Sequence, residues 1–440
     1  MTTQTKSYDA IIVGSGPGGG SVARDLTRFG KKVLILERGD YEPTRGTFAQ
    51  MASRAFVPGS KMPVTLGGKP ILRAITTGGS TNIFTACAFP PPYEMLERYG
   101  VNIRKEIDDL RAELPIGPIS DHLMNPAAAV FMKSARELGY DCNKLDKFLY
   151  QDRCLQNCDS CLYGCPNDAK WNARYLVDEA VEHGAEIVNH ANVKRVIIEG
   201  DVATGVEYTH DGRTHQVHAN TVVVSAGGIG TPLILRKSGF SGVGEDIFVD
   251  PLRLVCGRIE GLEGTGKAVP LMTGLHLNDE GIMITDLHLP HFLKGLFDAH
   301  AFNFADARDY ANVIPLMVKV RDDPAGRIIN NGIVNKKTSK ADRAKLDKGE
   351  KIAKEILTNA GANRTYSSRI LAAHPGGGVK LGQHLDANLK TRHDNLYVCD
   401  CSVFPEALGL PPSLSILGLG TRLAKHLAGR DVQNGLVAAE

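Results

Sequence analysis

The chain has 440 residues, 42% of them hydrophobic, and a formal net charge of +2. That length leaves room for two or three domains. Acids and bases are interspersed, which gives no footing for nucleic acid or for an acidic partner. No stretch reaches the ~18 apolar residues of a membrane span. The short polar segment before the first strand lacks the ordered basic, apolar and cleavage regions of a secretory signal. The expectation is a soluble, cytoplasmic protein without a transmembrane segment.

Tyr8 to Val13 reads as a buried strand. Gly14-Ser15-Gly16-Pro17-Gly18-Gly19 then opens a helix through about Phe29, and a second strand follows from Lys32 to Glu37. The spacing suits a dinucleotide. Gly14 permits the tight turn, Gly16 offers no side chain against a pyrophosphate, and Gly19 lets the helix pack on the strand. The helix N-terminus presents N–H groups to phosphate oxygens. Glu37, at the end of the second strand, can accept from ribose hydroxyls. The motif alone does not separate FAD from NAD.

Further on, Cys154, Cys158, Cys161 and Cys165 form a C-x3-C-x2-C-x3-C-P run closed by Pro166. It is similar to the run with which ferredoxins hold a cubane cluster. An iron–sulfur cluster is expected, 4Fe-4S or 3Fe-4S. Tetrahedral zinc is the alternative, and disulfides or free thiols are the third reading. Ala268 to Leu289 reads as a hairpin turning at Asn278-Asp279-Glu280-Gly281. Val313 to Val320 reads as another strand. Ser339 to Ala360 is a charged amphipathic helix, capped by Ser339 or Thr338 and stopped by Gly361.

An ordered set of segments resembles the glucose–methanol–choline (GMC) family of flavin oxidoreductases from end to end. It comprises Leu36-Glu37-Arg38-Gly39, Thr77-Gly78-Gly79-Ser80-Thr81-Asn82, Val222 to Pro232, His374-Pro375-Gly376-Gly377, Asn395 to Asp400, and Gly409-Leu410-Pro411-Pro412. The resemblance implies FAD rather than NAD, and an α/β fold with two parts. A Rossmann-type FAD-binding domain would be assembled from 1–90, 175–250 and 365–440. A smaller antiparallel-sheet substrate domain would span 251–364, and 91–174 would supply a cap and the cysteine segment.

The resemblance also implies roles. Arg38, Gly78, Gly79 and Asn82 would lie by the cofactor, Val193 would meet the adenine through backbone groups, and Asp400 would hold a turn or a ribityl contact. Pro412 would start a helix aimed at the flavin's pyrimidine edge. His374 would be the catalytic group at the flavin's reactive face, since its pKa suits proton transfer near neutrality. The family usually pairs this histidine with a second His or Asn just before a proline, where this chain has Pro411. Ser413, Ser415, Glu406 and Asn82 are the substitutes the sequence offers.

The expected function is an FAD-dependent dehydrogenase oxidising a CH–OH group of a small organic substrate. Electrons would pass through the cysteine cluster to an acceptor protein or quinone. The alternatives are a reductase fed by the cluster, a dehydrogenase acting on a C–C bond, or a non-catalytic electron-transfer subunit.

Overall fold

The computed structural model describes residues 7–55, 65–66, 71–262, 267–300, 310–329, 332–430 and 432. The opening motif folds as its pattern dictates, with strand Tyr8–Val13, helix Pro17–Arg28 and strand Val33–Leu36. Five strands run parallel in the order Glu186–Val188, Val33–Leu36, Tyr8–Val13, Arg213–Val224, Leu396–Val398. Strand Arg213–Val224 belongs to two arrangements. Its second half joins this parallel sheet, and its first half pairs antiparallel with Val202–His210, which continues to Asn192–Glu199. Helix Pro17–Arg28 packs between Arg174–Glu182 and Ser413–Leu427 over the parallel strands. Burial on both faces explains why Val33 to Leu36 is apolar without alternation.

The second sheet is antiparallel. Its order is Arg364–Ser367, Pro251–Arg258, Val313–Val320, Ile282–Asp286, Thr273–Leu277, Cys142–Lys144. The expected hairpin is Thr273–Leu277 with Ile282–Asp286, and Gly281 takes a φ of 63° in its turn. Strand Val313–Val320 is buried along its whole length. Ile314, Leu316 and Val318 face the long helix Lys340–Asn359, where Leu346, Ile352 and Ile356 meet them. By strand alternation Met317 and Lys319 point the other way, toward the parallel sheet.

The long helix carries a full capping box. Ser339 Oγ accepts from Asp342 N, and the Asp342 carboxylate accepts from Ser339 N. Among the described residues no helix is long and apolar enough to cross a membrane. Ser339→Ala is expected to destabilise the protein by about 1 kcal/mol. The drop should be read as a lower midpoint of chemical denaturation at unchanged flavin content.

Candidate active site

A cavity of about 710 Å3 lies between the two sheets, within the ~300–1,000 Å3 typical of cofactor and small-molecule sites. One end is built by the glycine loop. Gly14 has a φ of 94°, and a Cβ on it would fall 2.4 Å from Ser225 O. A Cβ on Gly19 would meet Gly14 O at 2.0 Å, so Gly19 sets the contact of helix and strand. Gly16 lines the cavity, and a Cβ there would meet nothing within 4 Å. Helix Pro17–Arg28 starts at Gly16 without a side-chain cap, which leaves its first N–H groups for a ligand.

Glu37 lines this end, but its carboxylate serves the protein first. Oε2 accepts from Ser15 N (3.0 Å) and Ser15 Oγ (2.6 Å), and Oε1 accepts from Gly39 N (2.7 Å). Arg38 and Arg73 also line it. Burial, then Arg38, pushes the Arg73 guanidinium below its ordinary value. Two neighbouring cations on a cavity wall are matched by a bound diphosphate.

Val193 lines the cavity, as does Gly79. Gly78 and Asn82 act from behind. Gly78 N donates to Ser15 Oγ (3.2 Å), and Asn82 Nδ2 donates to Thr77 O and Gly79 O, both at 2.9 Å. Asp400 accepts from Gly227 N (2.8 Å), Thr231 Oγ1 (2.5 Å) and Ser402 N (2.8 Å), which fixes the start of helix Gly227–Lys237 at the cavity wall. Pro412 is the N-cap of helix Ser413–Leu427, again without a side-chain cap, and it too lines the cavity. Two uncapped helix N-termini, a glycine loop and two arginines fit FAD. That cofactor supplies a hydride acceptor when bound.

His374 stands where the two sheets meet. It follows strand Leu371–Ala372, and it lines the cavity. Its Nδ1 lies 3.0 Å from Lys319 Nζ and 3.2 Å from Asp250 Oδ2. Lys319 Nζ and Asp250 Oδ2 are 3.7 Å apart. Asp250 is fully buried; its Oδ1 accepts from Gly409 N (3.1 Å), and its own N–H donates to Asp322 Oδ1 (3.0 Å). Both Asp250 and His374 hold left-handed backbones, with φ of 43° and 46°. Such residues cost about 1–3 kcal/mol each and gather at functional sites. Burial, then the Lys319 charge, lowers the His374 pKa, so the imidazole is neutral near neutral pH. Burial pushes Lys319 down to about 8.

Lys319 is the partner the sequence did not disclose. Of the substitutes offered, Asn82 is spent on its loop, and Glu406 is an exposed side chain paired with Arg98 at 2.6 Å. Ser413 and Ser415 lie on the final helix, and neither makes the contact to His374 that Lys319 makes. One signal was present: a lysine inside the otherwise apolar Val313-Ile-Pro-Leu-Met-Val-Lys-Val segment. Buried lysines need partners.

The metal expectation on Cys154, Cys158, Cys161 and Cys165 is not supported. Among the described residues no group of His, Cys, Asp or Glu side chains is arranged to hold a metal ion, be it iron in a 4Fe-4S or 3Fe-4S cluster or zinc. The physical reason lies in the local fold. Cys161 turns inward on the short 3-10 helix Ser160–Tyr163, while Cys154 packs against the main apolar core. Burial, then the other three thiols, raises Cys154 to about 12, and burial raises Cys161 to about 11. What fixes the loop is Lys170, whose Nζ donates to Cys161 O (2.6 Å), Asn82 O (2.8 Å) and Phe84 O (3.1 Å). It clamps the cysteine segment onto the glycine turn beside the cavity.

Gly16→Val tests the cofactor end. The backbone there is extended (φ −66°, ψ −173°) and tolerates a side chain. The variant is expected to keep its circular dichroism spectrum while its flavin absorbance falls to background.

The GMC oxidoreductase family models match residues 60–252 and 318–420. An uncharacterized protein of Methanocaldococcus jannaschii is 27% identical over 96% of this chain and 100% of its own length. A long-chain-alcohol oxidase of Arabidopsis thaliana is 24% identical over 96% of this chain and 66% of its own. Among solved structures, pyridoxine 4-oxidase from Mesorbium loti superposes with a TM-score of 0.76 at 14% identity, covering 97% of this chain and 100% of that one. Formate oxidase of Aspergillus oryzae superposes at 0.72 and 15% identity, covering 97% and 99%. With the fold, the glycine loop and the histidine in place, the chain belongs to the GMC oxidoreductase family and is an FAD-dependent oxidoreductase.

Proposed function

We propose that the protein oxidises the CH–OH group of an aliphatic alcohol, with hydride leaving the carbon for FAD and the hydroxyl proton leaving for His374. The observation that carries this reading is the His374 ring on the cavity wall. Its Nδ1 is committed to Lys319 and Asp250, which leaves Nε2 for a substrate. A neutral imidazole can accept the hydroxyl proton at Nε2.

The substrate class follows from the rest of the wall. Leu252, Leu254, Leu271, Leu287, Leu289 and Met317 line the cavity on the side of the antiparallel sheet. Aliphatic surface excludes water from the reacting carbon and rewards a hydrocarbon chain, not a polyol. The long-chain-alcohol oxidase among the relatives agrees with this choice. The expectation of a protein or quinone acceptor rested on the cysteine cluster. With no side chains among the described residues arranged to hold a metal, the oxidase names of a relative and of a structural neighbour make O2 the first acceptor to test.

The test is a series of primary alcohols assayed with O2 and with an artificial electron acceptor. kcat/KM is expected to rise with chain length by up to ~4-fold per buried methylene, the equivalent of ~0.8 kcal/mol. A preference for sugars or short polyols would sink the proposed class. His374→Ala should keep its flavin yet reduce it ~10²–10⁴-fold more slowly with the best alcohol. An unchanged rate would remove His374 from the chemistry.

A further inference from the structure

We propose that Lys319 acts through His374: it selects which ring nitrogen carries the proton, and it takes up a proton as the substrate hydroxyl is deprotonated. The inference deepens the alcohol-oxidising reading and rests on it only for the final proton donor. The argument starts from one nitrogen with two incompatible neighbours. Lys319 Nζ at 3.0 Å and Asp250 Oδ2 at 3.2 Å both address His374 Nδ1. An ammonium requires Nδ1 to accept, and a carboxylate requires it to donate. Only one demand can be met at a time, and the charge on Lys319 decides which.

With Lys319 charged, Nζ–H donates to Nδ1 and the ring proton sits on Nε2, where it blocks proton uptake from a substrate. With Lys319 neutral, Nδ1–H donates to Asp250 or to the amine, and Nε2 is an open base. In turnover the substrate O–H bond breaks as Nε2–H forms, and Nδ1–H breaks as a third Nζ–H forms. Bound FAD would supply the acceptor for the hydride and its electron pair, so that the alcohol becomes a carbonyl. One proton is then held on Lys319; the cycle closes when Lys319 gives it back to Nδ1 as Nε2–H is lost to water, which restores the neutral amine and the open Nε2.

Lys294 and Lys336 are buried against carboxylates, Asp298 and Asp322, but not against a histidine, and two further buried lysines make a stronger contrast. Lys147 Nζ donates to Thr85 O, Pro270 O and Leu271 O, with Cys87 Sγ at 3.3 Å. Lys170 Nζ donates to carbonyls alone. Carbonyls hold an ammonium but cannot take its proton. Lys319 instead faces a histidine and a carboxylate. Its surroundings across the packed elements are Asp250, His374, Cys87 and Cys401, with His276 within electrostatic range. Its cross-strand neighbours Leu252 and Met283 are apolar. Burial pushes it down to about 8, within reach of working pH.

The test reads the tautomer directly, without substrate. The full chain is labelled with 15N-histidine, the His374 signals are assigned with His374→Gln, and Nδ1 and Nε2 shifts are followed from about pH 6 to about pH 10. The wild type is expected to move from an Nε2–H to an Nδ1–H ring as pH rises through about 8. Lys319→Arg, which stays charged, should hold the Nε2–H form throughout. Lys319→Met should hold the Nδ1–H form on Asp250. In stopped-flow flavin reduction by the best alcohol, the wild-type rate should climb through the same pH. Lys319→Arg should be slow and flat, about 10-fold or more below the wild-type plateau. A His374 ring fixed in one tautomer in the wild type, or a Lys319→Arg titration identical to wild type, would overturn the proposal. Should Lys319→Met fail to fold, the wild-type and Lys319→Arg titrations still decide it. If the tautomer moves as stated but no alcohol reduces the flavin, the substrate reading fails and the proton switch stands.

Discussion

One imidazole nitrogen held between a buried lysine and a buried carboxylate is the constraint around which the rest of the molecule is arranged. Lys319 and Asp250 are each almost fully buried. Isolated, either charge would be costly, and removing one partner of such a set typically costs about 3–5 kcal/mol. The three residues come from separate places: the middle of the antiparallel sheet, the turn before its strand Pro251–Arg258, and the turn after Leu371–Ala372. Satisfying them together fixes how that sheet sits over the cofactor cavity.

The same network reaches segments that line the cavity. Asp250 receives Gly409 N, just before Pro411-Pro412 and the uncapped helix Ser413–Leu427. The turn His374-Pro375 comes so close to helix Gly227–Lys237 that a Cβ on Gly228 would lie 1.8 Å from Pro375 O. That helix start is in turn pinned by Asp400 through Gly227 N. His374, the starts of helices Gly227–Lys237 and Ser413–Leu427, and the strand that carries Lys319 and Met317 are therefore held together by adjoining buried contacts. The left-handed backbones of Asp250 and His374 are strain that such a set can hold.

What could be read from the sequence was local. The glycine loop, its two strands and the capped helix are each set by neighbours within a few turns of chain, and each lies where its residues put it. The candidate site was half legible. His374, Gly16, Arg38, Val193 and Pro412 sit in short motifs, and the structure brings them to one cavity. Lys319 could not be paired with His374 from sequence, because 55 residues and a sheet crossing separate them. Glu37 shows the converse: its place was legible, but the hydrogen bonds that occupy its carboxylate depend on how Ser15 and Gly39 close around it. The cysteine spacing was legible too. How each thiol is turned and buried depends on the tertiary fold and on the Lys170 clamp, which spacing does not encode.

The measurement that bears most directly on the account is a crystal structure of the protein loaded with FAD. The account predicts the pyrophosphate against Gly16 and the start of helix Pro17–Arg28, and the flavin ring with its reactive edge toward His374. It also predicts an open, aliphatic space between ring and histidine. A flavin ring remote from His374, or a histidine walled off from it by protein side chains, would contradict the assignment of this site to alcohol oxidation.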